Sequence, residues 1–169
     1  YGLLKGKKIE QADAMQAYVQ AKLGGTETWV EIPAEGWPEE WKVNGPPCER
    51  PCCRLVQALY GHPDSGTFWE KHADKALKEI GYEPIAESWS SCYFNKKNGM
   101  YLVLYVDDFL MSGPEENVEA AWAEISTRIN IEDPGPMGLY LGCVHEEGSV
   151  VMADGRLVRT MTFNQESFF

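Results

Sequence analysis

The chain has 169 residues, 44% of them hydrophobic and 12% aromatic, which is enough for one hydrophobic core and short for two. Its formal net charge of -11 argues against a domain whose main task is nonspecific phosphate binding, although clustered carboxylates can still meet a polyanion through bound metal ions. No apolar run approaches the roughly 18 residues of a membrane span, and without an initiator methionine or signal peptide we expect a piece of a longer chain.

The N-terminal part of the sequence alternates between strand and helix patterns. A short apolar strand ends on Asp13, and Met15, Val19 and Leu23 then recur at helical spacing before two glycines. A stretch rich in proline and glycine has little periodicity and is predicted as a surface connection. In chain order we predict a strand at 8–13, a helix at 14–23, a strand at 28–32, a surface connection at 33–51 and a short strand at 54–59.

The C-terminal part contains the longer periodic segments. Asn98-Gly99 between two apolar runs is a tight-turn signal, and Ser112 with Glu115 is predicted to form a capping box that opens a helix. The predicted elements are a helix at 65–80 closed by Gly81, strands at 91–95, 100–106 and 109–111, a helix burying Val118, Ala121, Trp122, Ile125 and Ile129, and a late hairpin of 139–145 and 150–152 around Glu147-Gly148. This order predicts an α+β fold with helices on one face of an antiparallel sheet.

Five cysteines, an odd number, favour free thiols in a reducing compartment. Cys48, Cys52 and Cys53 lie close together in sequence, so a zinc site is an alternative. Their spacing lacks the paired two-residue separation of structural zinc sites, and no histidine pair matches them. We therefore expect buried or loop thiols.

Two adjacent carboxylates, Asp107 and Asp108, interrupt an apolar run. Such a pair is costly unless it lies at a turn or binds a cation. One interpretation is a hairpin turn, and the other is a divalent-metal site completed by a remote carboxylate. Asp13 at the end of the first strand is the remote candidate, with a helix N-cap as its alternative role. If the three converge, they can hold two metal ions about 3.5–4 Å apart.

The sequence resembles the reverse transcriptases of Copia-type LTR retrotransposons over nearly its whole length. Six segments carry the resemblance in the family's order: Gln11-Ala-Asp13 with Tyr18, Thr28 to Pro33 with Gly36-Trp37-Pro38, Cys53 to Gly61 with Trp69, Tyr105-Val106-Asp107-Asp108 with Gly113, Asp133 to Gly142, and Thr162 to Phe168. A lone Tyr-x-Asp-Asp would be weak evidence, whereas six segments in register are strong.

The resemblance implies a polymerase palm with a ferredoxin-like core and incomplete fingers, in which Asp13, Asp107 and Asp108 are the catalytic and metal-binding carboxylates. Two Mg2+ ions are implied as cofactors, with Mn2+ as a substitute. Tyr18 would be the steric gate against a 2′-hydroxyl, whereas the residues alone favour a core aromatic of the first helix. The residues implied to bind the nucleotide are Tyr18, Tyr105, Asp64 and Gly66, and those implied to grip the primer are Leu141 and Gly142.

One stretch departs from the family. After Gly61 the family usually has Leu-Lys-Gln-Ala-(Pro/Ser)-Arg, whereas residues 62–67 of this chain read HPDSGT, so positive charge near an incoming triphosphate is lost. Either this lineage has a pocket of its own, or activity has decayed and the chain is a non-enzymatic remnant or interaction module. Gly66 can allow close approach of a nucleotide, or it can be an ordinary loop glycine.

The whole pattern predicts a fragment of an RNA-directed DNA polymerase, weak or inactive by itself. We expect a palm at 1–145 with a fingers or connection insertion at about 24–60, followed by the start of a connection at 146–169. The implied partners are a primer with an RNA or DNA template, deoxynucleotides, and the remaining fingers, thumb and RNase H parts of the polyprotein, without a membrane. The class implies an intracellular location, in cytoplasmic virus-like particles with a nuclear phase.

Overall fold

The computed structural model describes residues 1–166, which form a mixed α+β fold with antiparallel sheets and four α-helices. The strands are β1 (Lys7–Asp13), β2 (Trp29–Glu31), β3 (Cys52–Arg54), β4 (Glu83–Pro84), β5 (Cys92–Asn95), β6 (Met100–Tyr105), β7 (Asp108–Pro114), β8 (Gly135–Pro136), β9 (Leu139–Tyr140), β10 (Cys143–Val151) and β11 (Leu157–Asn164). The helices are α1 (Ala17–Gln20), α2 (Glu39–Asn44), α3 (Ser65–Glu79) and α4 (Glu115–Ser126). The predicted α+β class is confirmed.

The chain divides into two compact units. The first unit contains residues 1–17 and the chain from Ala73 onward, and the second unit contains Tyr18–His72. A six-stranded and a three-stranded sheet lie in the first unit, and the two-stranded sheet of β2 and β3 lies in the second. Each unit therefore has a sheet of its own.

The six-stranded sheet provides the core of the first unit, in the strand order β4-β5-β6-β7-β1-β8. Leu104, Phe109 and Ala12 lie opposite one another on β6, β7 and β1, and all three are buried. Helix α4 packs against these three strands. Because side chains alternate between the faces of a strand, the residues next to this buried row lie on the other face of the sheet.

The longer elements of the chain agree with the sequence predictions. The strand that ends on Asp13, the β5–β6 hairpin with its Asn98-Gly99 turn, and the long helix before Gly81 are confirmed. Helix α4 buries four of the five predicted positions, Val118, Ala121, Trp122 and Ile125. The fifth, Ile129, is buried but lies beyond the end of the helix at Ser126, so the prediction placed it wrongly on the helix. Long apolar stripes with a clear period therefore predicted these elements correctly.

The helix predicted at 14–23 is wrong except for the single turn of α1. Ala14 forms a β-bridge with Ile131, and Gln16 has a φ of 51°, which interrupts a helix. On the C-terminal side, Leu23 donates its N–H to the Val56 carbonyl at 3.0 Å. Backbone hydrogen bonds to other segments thus replace those of the predicted helix.

Two predictions in the second unit need correction. The surface connection at 33–51 contains the exposed helix α2, which starts after Pro38 and ends before Gly45 with its φ of 81°. The strand predicted at 54–59 ends instead at Arg54, where pairing with β2 ends. Short exposed elements carry too few apolar positions for a period to predict them.

The capping box predicted at Ser112 is also wrong. Ser112 is a buried strand residue of β7, paired with Ile9 and Tyr101. Helix α4 starts directly after Pro114, whose ring makes no capping hydrogen bond. The strand extends because β6 pairs with it as far as Ser112 and β1 as far as Pro114.

The late hairpin has a different register from the predicted one. Glu147-Gly148 lies inside β10, opposite Met161 and Thr160 of β11. The chain reverses instead at 152–156, where Gly155 has a φ of 83° and the Met152 N–H donates to the Arg156 carbonyl at 2.8 Å. The sequence prediction missed β11 entirely. Phe168, the last residue of the resemblance, lies outside the described residues.

Two further observations concern the described part of the chain. No helix there is long and apolar enough to cross a membrane. The five cysteines are free thiols, of which Cys48, Cys52 and Cys53 are exposed and Cys143 is buried.

Candidate active site

Three predicted site residues lie in one row across the six-stranded sheet. Asp13 at the end of β1 is directly opposite Asp108 at the start of β7, which in turn is opposite Tyr105 at the end of β6. Residues in such positions share a face of the sheet, with Cβ atoms about 5 Å apart. The row lies on the face opposite the buried Ala12, Phe109 and Leu104. The structure thus brings together acids that are far apart in the sequence.

The β6–β7 turn consists of Val106 and Asp107. Val106 has a φ of 56°, a conformation that is a true outlier for a β-branched residue and costs on the order of 1–3 kcal/mol. The surrounding pairing offsets this strain, and the Asp107 carbonyl accepts a 2.7 Å hydrogen bond from the N–H of Ala14. The turn is thereby tied to the end of β1 beside Asp13.

Asp13 is a strand residue and not a helix N-cap. Its carbonyl accepts a hydrogen bond from the Glu132 N–H at 2.8 Å, and its neighbour Ala14 pairs with Ile131. Asp13 is therefore fixed between β7 and the segment before β8, with its side chain exposed.

The other two carboxyl groups affect Asp108 electrostatically. The pKa of Asp108 is raised, first by partial burial, then by the negative charges of Asp13 and Asp107, and last by a hydrogen bond with the Asp13 side chain. None of the three forms an ion pair with a basic side chain in the part of the chain described. Negative charge therefore accumulates at this end of the sheet without an internal counter-charge.

The donor chemistry of the three side chains fits Mg2+, which prefers carboxylate oxygens. Within residues 1–166, no three or more histidine, cysteine, aspartate or glutamate side chains stand in metal-binding geometry. Like-charged carboxylates repel one another unless a proton or a cation lies between them. The residue types and their shared row suit a divalent cation.

Three residues predicted to bind the nucleotide lie in the second unit. Tyr18 is half-buried in α1, and its ring is 5.1 Å from that of Tyr60, which is 85% exposed. Asp64 is exposed before α3, and Gly66 lies in the first turn of α3 with open space where a Cβ would be. Nothing in the second unit itself therefore requires a glycine at position 66.

The departing stretch after Gly61 is held by its own hydrogen bonds. The Asp64 N–H donates to His62 Nδ1 at 3.2 Å. Because Nδ1 accepts this bond, the ring proton lies on Nε2, which is 3.1 Å from the Thr28 hydroxyl oxygen. Ser65 is buried, and its hydroxyl bonds both the N–H and the carbonyl of Leu59. His62 and Ser65 were missed as structural residues in the sequence, where only their departure from the family was visible.

Leu141 and Gly142 form the turn between β9 and β10. Their φ angles are 49° and 74°, and the flanking Tyr140 and Cys143 pair across the turn. The leucine side chain is 51% exposed, and its positive φ is uncommon for a leucine. A short hairpin turn with a projecting apolar side chain thus occupies the predicted primer-grip position.

Two residues near this turn were not predicted as site residues. Tyr140 has a buried hydroxyl with no hydrogen-bond partner among the described residues, and its pKa is raised to about 12 by burial and by the charge of Asp108. Gln11 lies two residues before Asp13 and contacts the backbone of residues 138 and 139. The strand period alone places Gln11 on the face of Asp13, so this signal was available in the sequence.

Comparison with known proteins gives a family-model match over residues 3–154, described as "Reverse transcriptase (RNA-dependent DNA polymerase)". The chain is 27% identical over 138 residues to the retrovirus-related Pol polyprotein from transposon TNT 1-94 of Nicotiana tabacum, covering 80% of this chain and 10% of that protein. It is 25% identical over 99 residues to a putative transposon Ty5-1 protein of Saccharomyces cerevisiae, covering 56% of this chain and 32% of that protein. The chain therefore spans a tenth to a third of the length of these relatives.

Proposed function

The chain belongs to the reverse transcriptases of the Copia-type retrotransposons, and we propose that its six-stranded sheet is the palm of the polymerase. In this proposal the palm catalyses template-directed addition of deoxynucleotides to a primer 3′-end. The observation that carries it is the pairing of Asp13 with Asp108 beside the Asp107 turn. The end of β1 and the β6–β7 hairpin are far apart in the sequence and meet at this point. The chain in which they meet matches the reverse transcriptase family.

The three carboxylates act as the metal-binding group in this proposal. Two Mg2+ ions, when bound, would activate the primer 3′-hydroxyl and stabilise the leaving pyrophosphate. Asp13 and Asp107 are the main ligands, and Asp108 is the auxiliary carboxylate. Their backbones are fixed before any ligand binds, because β1, β7 and the tied turn position them.

The remaining proposed roles concern the substrates. Tyr18 excludes a 2′-hydroxyl, while Tyr105, Asp64 and Gly66 contribute to the nucleotide site, and Leu141 with Gly142 grips the primer. The partners are a primer on an RNA or DNA template, deoxynucleotides, and the fingers, thumb and RNase H parts of a longer polyprotein. The proposed location is an intracellular virus-like particle with a nuclear phase. By itself we expect this chain to extend a primer weakly or not at all.

One observation favours a second candidate, a decayed and non-enzymatic remnant of such a polymerase. The stretch 62–67 lacks the basic residues that the family usually has near the triphosphate. Its hydrogen bonds to Thr28 and Leu59 hold it in a defined local structure. Such a structure is expected both of an active polymerase with a pocket of its own and of an inactive remnant that keeps its fold. The two candidates differ in whether the carboxylates still bind metal.

Metal titration separates these candidates. Mn2+ binding to the chain, followed by electron paramagnetic resonance or calorimetry, is expected to saturate and to weaken about a hundredfold in Asp13→Asn, which removes a ligand charge with little change in shape. Asp154→Asn is the matched control, because Asp154 is an exposed aspartate in the 152–156 turn. Equal binding by the wild type and Asp13→Asn, or no binding at all, would overturn the proposal in favour of the remnant.

A further inference from the structure

The side-chain amide of Gln11 bonds two consecutive backbone groups in the segment that leads into the 141–142 turn. Its Nε2 donates to the Leu139 carbonyl at 3.1 Å, and its Oε1 accepts from the Gly138 N–H at 3.0 Å. A glutamine amide offers a donor and an acceptor side by side, so it can bond a peptide segment in one register.

Gln11 occupies the row next to the carboxylates. It lies two residues before Asp13 on β1 and pairs across the sheet with Leu110, two residues after Asp108. All of these positions share one face of the sheet because side chains alternate along each strand. Gln11 therefore bonds residues 138 and 139 to β1 at a position one row away from the Asp13–Asp108 pair.

The attached segment belongs to the other sheet of the first unit. Strand β9 has two residues and pairs with β10, and the Gly138 carbonyl accepts a hydrogen bond from the His145 N–H at 2.9 Å. These bonds tie β9 to its own hairpin, and the chain enters β9 two residues after β8, whose backbone pairs with Glu10 and Gln11 of β1. The Gln11 side chain adds a second connection to the six-stranded sheet, beyond the end of β8 and at the start of β9.

A second side chain connects the same two sheets at the far end of β1. Arg159 of β11 donates to the carbonyls of Lys7 and Gly2 at 2.8 and 3.2 Å. Lys7 is the first residue of β1 and Asp13 the last, so the two connections lie near opposite ends of the strand. Arg159 therefore serves as a control, because it links the same two sheets at the end of β1 away from the carboxylates.

We propose that Gln11 is a positioning residue that sets the distance between the 141–142 turn and the metal-binding carboxylates. This inference rests on the proposed function, in which the turn holds the primer end that must meet Asp13, Asp107 and Asp108. Reaction geometry tolerates about 0.5 Å of displacement, so a polar connection one row from the carboxylates is well placed to maintain it. Gln11 acts through the turn and does not contact the reacting atoms.

The test measures that distance directly. Mn2+ bound by the carboxylates broadens the NMR signals of nearby amides, and the effect on the amides of Leu141 and Gly142 reports their distance from the ion. In Gln11→Leu, which keeps the side-chain size and removes both hydrogen bonds, we expect this broadening to fall by about threefold while Mn2+ affinity stays within about twofold. In Arg159→Leu we expect the broadening to remain at its wild-type value.

A second readout keeps the test valid if Gln11→Leu folds poorly. Gln11→Glu keeps the acceptor for Gly138 and loses the donor to Leu139, so Gly138 exchange should stay slow while broadening of the turn signals decreases. In Gln11→Leu, hydrogen exchange of the Gly138 amide should rise about tenfold, the equivalent of one lost hydrogen bond.

Each outcome has a distinct meaning. The positioning role is overturned if Gln11→Leu and Arg159→Leu lose broadening equally, or if broadening is unchanged in all variants. In either case the proposed function still stands as long as the chain binds Mn2+. If the wild type binds no Mn2+, the proposed function fails and this inference fails with it.

Discussion

The carboxylate end of the six-stranded sheet and the 18–72 unit are built in different ways. In the first, strands of six and seven residues pair continuously, and Asp13 and Asp108 are positioned by backbone ladders. In the second, β2 and β3 have three residues each, and the loop before α3 is held by side-chain hydrogen bonds of His62 and Ser65. The proposed acids thus lie on a regular frame, whereas several proposed nucleotide contacts depend on local side chains.

The largest expected effect tests the regular frame. Phe109 is fully buried on β7 beside Asp108, so Phe109→Ala should lower the free energy of unfolding by about 3–5 kcal/mol through lost burial and the cavity left behind. Urea denaturation followed by tryptophan fluorescence measures it. Val56→Ala, at a position that is 65% exposed in the second unit, is the control and should change stability by less than about 0.5 kcal/mol. A loss below about 1 kcal/mol for Phe109→Ala would contradict the tightly packed frame.

An intermediate effect tests the local hydrogen bonds of the second unit. Ser65→Ala leaves the Leu59 N–H without its partner, while the Leu59 carbonyl still accepts from the His62 N–H, and should cost about 1–3 kcal/mol of unfolding free energy. Ser149→Ala, at an exposed position of β10, is the matched control and should be nearly neutral. The same denaturation experiment compares them, and equal stabilities for the two variants would show that this loop does not depend on Ser65.

The smallest effect concerns charge at the carboxylate row. Because the pKa of Asp108 is raised in the folded chain, the folded state binds its proton more readily than the unfolded state, and ionisation at neutral pH opposes folding. Asp108→Asn should therefore be slightly more stable than the wild type at pH 7, without divalent metal. This advantage should shrink as the pH falls through the folded pKa and disappear below the unfolded value near 3.8.

Thermal melts from pH 3 to pH 7 measure this difference, with Asp154→Asn as the control. Asp154 has a lowered pKa because Arg156 bonds its carboxylate, so its substitution should not stabilise the chain at neutral pH. A less stable Asp108→Asn at pH 7 would contradict the repulsion among the three acids.

Much of the frame was predictable because its signals are local. The Asn98-Gly99 turn and the apolar stripe of α4 follow from period and turn chemistry, and both were predicted correctly. Ser112 shows the limit of such signals, since a capping pattern was outweighed by pairing with strands on both sides. Local patterns fail where distant segments decide which hydrogen bonds form.

The site was predictable in its residue types and not in its arrangement. Asp107 and Asp108 stood out as costly acids between apolar runs, while Asp13 became a candidate because a third carboxylate at a strand end could complete a metal site with them. The pairing of Asp13 with Asp108 and the contacts of Gln11 with residues 138 and 139 join segments far apart in the sequence. Such pairings are set by the assembled sheet, which no local pattern encodes.

The most direct test of the central claim is a crystal structure of the chain soaked in Mn2+, with the ions located by anomalous scattering. We predict two peaks about 3.5–4 Å apart among the carboxylates of Asp13, Asp107 and Asp108. Mn2+ bound elsewhere while this group stays empty, or an Asp13 carboxylate turned away from the other two, would contradict the metal-dependent polymerase and favour a decayed fragment.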